Sequence, residues 1–129
     1  MVQVEENLVI KKEPAVNRIL AGCCHANGLV LIPVLFPLLA MYCVKKDRNP
    51  YVYTHGRQAM IFQAFTVVIL MVMCLLYKLL VSANLVPAVA LTVYVAGTLF
   101  CVAVTLCMLA GSVFALMGKP FEYPFTKNL

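Results

Sequence analysis

From Gln58 to Val81 the chain carries a single charge, Lys78, in an otherwise apolar run. As one helix this run would be about 36 Å long at ~1.5 Å per residue, more than the roughly 30 Å needed to cross a bilayer core. Two further apolar runs flank it, Ile19 to Val44 and Ala88 to Met117. A soluble chain of this size leaves roughly a third of its area exposed on folding. With 64% hydrophobic and 12% charged residues and a mean hydropathy of +0.95, this chain could not hide its apolar surface from water. Lipid is therefore the expected solvent. The expected architecture is an all-α, polytopic membrane helical bundle with three membrane-spanning segments, the first broken or kinked. Residues 1–17 form a polar tail and 18–126 the membrane domain, with apolar segments at about 19–44, 58–81 and 88–117; 127–129 are the C-terminal end.

The first run is the least regular. His25, Asn27 and Gly28 interrupt it, and Pro33 and Pro37 follow. Proline removes a backbone donor and bends a helix, and Asn-Gly is a strong turn signal. Either a kinked helix crosses once, or residues 18 to 27 form a short helix that turns at Gly28 and only Leu29 to Val44 crosses.

Charge suggests an orientation. Lys45, Lys46, Arg48 and Arg57, four of the ten basic residues, flank one loop, as the positive-inside rule places them on the cytoplasmic side. With three crossings the C-terminus lies on that side too. The amino terminus is cytoplasmic only if the first run turns back. Lys45, Lys46 and Arg48 are also candidates for holding anionic lipid headgroups. The net charge of +5 does not point to nucleic acid, because the cations form no patch interleaved with aromatics on a soluble scaffold.

The segment Asn49 to Gln63 is the one internal stretch where charge, aromatics and a polar face coincide. His55, Arg57 and Gln58 mark it as a contact surface, and Arg57 opens a helix where the dipole disfavours a cation. Gln63 and Thr66 share a helical face at three-residue spacing. A buried amide in lipid seeks a partner, so that face is expected to pack on protein. Ala103, Cys107, Gly111 and Ala115 recur every four residues. They form either a ridge for close helix approach or the ordinary small residues of a membrane helix. Gly118, Pro120 and Pro124 stop the third run, and the aromatics among them are expected at the interface.

No catalytic constellation is visible. Of five acidic residues only Asp47 and Glu122 lie beyond the amino-terminal tail, so an enzyme is not expected, nor is a metal or other cofactor. None of the six cysteines forms a C-x-x-C pair, and adjacent Cys23 and Cys24 would point about 100° apart on a helix. They read as small apolar packing residues.

Several elements recur together in order: Leu20-Ala21 through His25, Lys45-Lys46-Asp47 before Asn49-Pro50-Tyr51-Val52, and His55-x-x-Gln58-Ala59-x-x-Phe62-Gln63. Gly118-Lys119 and Tyr123-Pro124 complete the set. In these the chain resembles the Tic-twenty-like family of small multi-pass membrane proteins. That family includes relatives of the chloroplast inner-envelope import component and of the magnetosome protein MamF. Ala26-Asn27 stand where the family commonly has Leu-Ser, and Lys119 where it has an acidic residue. The resemblance implies a multi-pass helical fold and, in some members, association with transport or organelle assembly. Chloroplast members form two segments from the opening region, which favours a turn near Gly28.

The expected function is a non-enzymatic structural or interaction subunit of a membrane complex in a prokaryotic inner membrane. Its partners would be the lipid bilayer and either further copies of itself or other membrane proteins. His55, Arg57, Gln58, Gln63, Thr66, Tyr123 and Pro124 are the candidate contact residues. A component of a protein-import or other transport apparatus is the alternative. It would draw on the broken first run and on His25, Asn27, Gln63 and Thr66 as its polar groups.

Overall fold

A computed structural model describes residues 13–29, 33–44, 48–83 and 87–123. Four α-helices follow one another: α1 (Ala15–Ala26), α2 (Leu35–Cys43), α3 (Pro50–Ser82) and α4 (Pro87–Leu116), with a 3-10 turn over Asn27–Leu29 after α1. The chain is all-α in its described residues.

Among the described residues only α3 and α4 are long and apolar enough to cross a membrane. They lie antiparallel: Tyr51 meets Ala115 at one end, and the rings of Tyr77 and Tyr94 lie 6.3 Å apart towards the other. Most of their apolar surface faces outward, with Phe65, Met71, Leu75, Leu99 and Leu106 among the exposed side chains. Such helices are not the core of a water-soluble fold.

The 19–44 run is not a third long helix. At 12 and 9 residues, α1 and α2 are about 18 Å and 14 Å long, so neither spans a bilayer core. They form a hairpin laid against α3 and α4. Ser112 donates to the Gly22 carbonyl and Arg18 to that of Leu116, so α1 runs antiparallel to α4. Going back, α2 runs antiparallel to α3, with Val34 at Gln63 and Met41 against Gly56. The hairpin turns some 20 Å along α3 from Pro50. The turn expected at Gly28 is present; of the three expected crossings, two helices of sufficient length stand among the described residues, and a crossing from Leu29 to Val44 is not shown. The reason is local: α1 stops at Ala26, α2 begins only at Leu35, and Val44 is already extended at its end.

One side chain pins this hairpin. Gln63, fully buried, donates from Nε2 to the Cys24 carbonyl at 2.9 Å and accepts from the Val34 N–H at 2.8 Å. It therefore holds the last turn of α1 and the first residue before α2 together. Val34 has φ +73°, strained for a β-branched residue, and conformations of this kind cost on the order of 1–3 kcal/mol. Its bond to Gln63 contributes to offsetting that strain.

Helix ends follow local chemistry. Asn49 caps α3 by accepting from the Val52 N–H, with Pro50 opening the helix. At the end of α4, Gly118 takes φ +76°. Lys119 N–H reaches the Phe114 carbonyl and Gly118 N–H that of Ala115, the two bonds of a Schellman motif. Met117 N–H takes the Val113 carbonyl, Tyr51 adds a second bond to Ala115, and Arg18 takes Leu116. Three of the carbonyls that a helix end leaves orphaned, those of Phe114, Ala115 and Leu116, are thus satisfied.

Candidate functional site

The Schellman turn sends the chain back over the bundle, and this return assembles the most unusual feature of the molecule. Tyr123 comes to lie fully buried beside His25 of α1 and His55 of α3, themselves buried. Its ring stacks on Phe62 at 3.9 Å between centroids and 6° between planes, with Phe121 edge-on at 4.9 Å. Gly111 makes the room, since a Cβ there would sit 3.0 Å from both His25 Nδ1 and the Tyr123 hydroxyl.

Three groups are linked in series. Tyr123 hydroxyl lies 2.7 Å from His25 Nδ1, and His25 Nε2 lies 2.9 Å from His55 Nδ1. With both rings neutral and the Tyr123 O–H donating to His25 Nδ1, His25 Nε2–H donates to His55 Nδ1. Burial holds the Tyr123 hydroxyl well above its ordinary pKa, so it keeps the proton this chain requires. The result is a one-directional clasp joining α1, α3 and the segment after α4.

The clasp is not arranged as a metal site. The two partners of His25 sit at opposite nitrogens of its ring, which one ion could not reach together. Among the described residues no three His, Cys, Asp or Glu side chains come together as ligands.

The candidate contact residues are distributed unevenly. His55, Gln63, Thr66 and Tyr123 are buried and face their own chain. Gln58 is half-buried, with its Oε1 lacking a hydrogen-bond partner. Arg57 is exposed and has a partner interaction, and Arg48 is exposed. Lys45, Lys46 and Pro124 lie outside the described residues. The four small residues of α4 divide: Gly111 and Ala115 are buried, Cys107 is half-buried and Ala103 is exposed. Of the cysteines only Cys24 is buried. Tyr123, expected at the interface with its aromatic neighbours, is instead turned inward, because His25 and Phe62 offer its hydroxyl and its ring partners that a lipid surface cannot.

Sequence reasoning gave His25 a place in the family motif and a polar role in a transport path, and missed the bond Tyr51 makes to Ala115. The signal for His25 was present as a lone imidazole in an apolar run. Its partner stands 98 positions away, beyond the reach of periodicity.

No curated protein and no solved structure matches the chain. The model of the magnetosome magnetite crystal formation protein family matches residues 16–129, nearly the whole chain and every element of the clasp. This accords with the magnetosome side of the resemblance read from the sequence; a relation to the chloroplast import component is not shown. A match of this extent places the chain in the MamF/MmsF magnetosome magnetite crystal formation family.

Proposed function

We propose that this chain is a non-enzymatic membrane subunit that serves magnetite crystal formation by presenting the surface of its clasped end to other proteins of a magnetosome-type membrane. One observation carries this reading. The buried polar groups His25, His55, Gln63 and Tyr123 are engaged within the chain. A catalytic group must be reachable by substrate, and a pore must offer a polar path. These side chains instead fix the shape of one end of the bundle, whose exterior carries Arg48, Arg57 and Lys119.

In this reading α3 and α4 cross the bilayer, and the α1–α2 hairpin enters and returns on the same side. A third crossing over 19–44 would require the hairpin pinned by Gln63 to open. The start of α1, the loop before Asn49 and the segment after Gly118 then share one side, which the basic residues make cytoplasmic. Cysteines introduced at Glu13 and Arg48 should react with a membrane-impermeant thiol reagent from that side, and one at Ala83 from the other.

The functional test replaces the gene with a His25→Phe variant in a magnetosome-forming bacterium. Crosslinking and mild-detergent purification should show a lost or depleted complex, and electron microscopy an altered crystal size distribution, at unchanged membrane abundance. Unchanged complexes and crystals would falsify the proposal. The transport alternative, to which the likeness to import components belongs, is favoured by the broken first run, since broken helices mark many transport sites. Its test is conductance in reconstituted vesicles.

A further inference from the structure

Beyond the clasp, the α1–α2 hairpin ends and leaves a groove along one side of α3 and α4. Directly beneath the tip lies a cavity of about 190 Å³, roofed by Gly28, Leu29 and Pro33 and reaching Leu70 and Cys101. Leu70 and Cys101 also line a larger apolar groove of about 530 Å³, which passes Met73 and Gly97 and ends at Tyr77, Tyr94 and Lys78. The two share these walls and form one path. From Thr66, beneath the tip, to Lys78, α3 rises about 18 Å, close to the roughly 15 Å of hydrocarbon in one leaflet.

The two ends of the path select its occupant. At the tip, a membrane-crossing helix from a partner or a second copy would run into the hairpin part-way through the bilayer. An acyl chain of one leaflet ends there of its own accord. At the other end, Lys78 is the sole charged residue among the described residues of 67–83 and 87–104. It sits beside the Tyr77–Tyr94 pair, side chains suited to headgroup depth. A lysine there extends its ammonium to the interface and meets a phosphate.

We infer that this groove binds one acidic phospholipid of the far leaflet, with an acyl chain beneath the hairpin tip and its phosphate on Lys78. The site is independent of the clasp and of any role in crystal formation; it rests on the reading above only in that α3 and α4 cross the bilayer.

The test uses the full-length protein in mild detergent with an equimolar mixture of phosphatidylglycerol and phosphatidylcholine of identical acyl chains. Native mass spectrometry then reads the lipids retained. The expected result is one lipid per chain, with phosphatidylglycerol preferred about fivefold, as a single cation near a headgroup gives. Lys78→Gln should abolish the preference and keep the lipid. Gly97→Leu fills the groove, and its Cβ meets nothing closer than Met73 Cε at 3.6 Å, so the helices need not move. It should lower retention of both lipids several-fold, and Thr98→Leu, on the same wall, provides a second filling variant. Retention unchanged in both filled variants, or no preference in the parent protein, would overturn the assignment. So would efficient crosslinking of Cys101, which lines both parts of the groove, to a protein in reconstituted vesicles.

Discussion

The two ends of the helical pair differ in what holds them. At the end that begins with Pro50, α3 and α4 are joined by α1, α2 and the segment after Gly118, and the contacts are specific: the clasp, the Gln63 pin and the Ser112 and Tyr51 bonds to facing backbone. At the end near Ser82 the two helices have, among the described residues, only each other, and Leu75, Leu76, Leu79 and Leu91 are exposed. Lipid tails are as apolar as leucine, so no hydrophobic force pulls those side chains inward. Packing and hydrogen bonds must supply order, and they are concentrated at one end. The difference teaches that a small membrane protein can keep one end precise while the other is shaped largely by the solvent around it.

That contrast can be broken most directly at the pin. Gln63→Leu keeps the volume and strands the Cys24 carbonyl and the Val34 N–H; two unsatisfied buried groups should cost about 2–3 kcal/mol. Thermal unfolding in detergent should fall accordingly, with new protease cleavage between α1 and α2. Gly111→Val drives methyl groups into His25 and Tyr123 and should cost about 2 kcal/mol. Hydrogen exchange should then quicken over residues 119–123 while the far halves of α3 and α4 keep their protection. Tyr123→Phe retains the stacking on Phe62 and removes one donor, for a loss of about 1 kcal/mol. A loss equal to that of Gly111→Val would mean that the hydroxyl, rather than the fit, holds the segment. The smallest effect belongs to the far half: Leu99→Ala should shift stability by less than about 0.5 kcal/mol. A larger loss would show that this surface is covered by protein.

The legible parts of the molecule were those written locally. Gly118 announced the end of α4 through signals that need only a few neighbouring residues. The start of α3 is equally local, in the Asn49 cap and the preset φ of Pro50, but the reading that Arg57 opens the helix placed it seven residues late, because the charged and aromatic stretch before Arg57 resembles an interfacial loop. The break after His25 was also visible, but its outcome was not. Whether the chain resumes across the bilayer or turns back depends on Gln63, 29 positions after Val34, which captures both arms. The Gln63/Thr66 face was recognised as one that packs on protein, yet a face does not say whose protein, and here it is the chain's own. Tyr123 was misplaced for a related reason. An aromatic after a membrane helix ordinarily rests at the interface, and only a histidine from the other end of the chain gives it a reason to turn inward.

The separation of the clasp's members also sets an order of events during synthesis. His25 and His55 leave the ribosome early and can meet as soon as α3 lies beside α1, but Nδ1 of His25 has no donor until Tyr123 emerges, 98 residues after His25. A chain halted before that point would hold an imidazole pair in an apolar setting with Nδ1 of His25 open. The segment after Gly118 thus closes a pair that the two earlier helices can only begin.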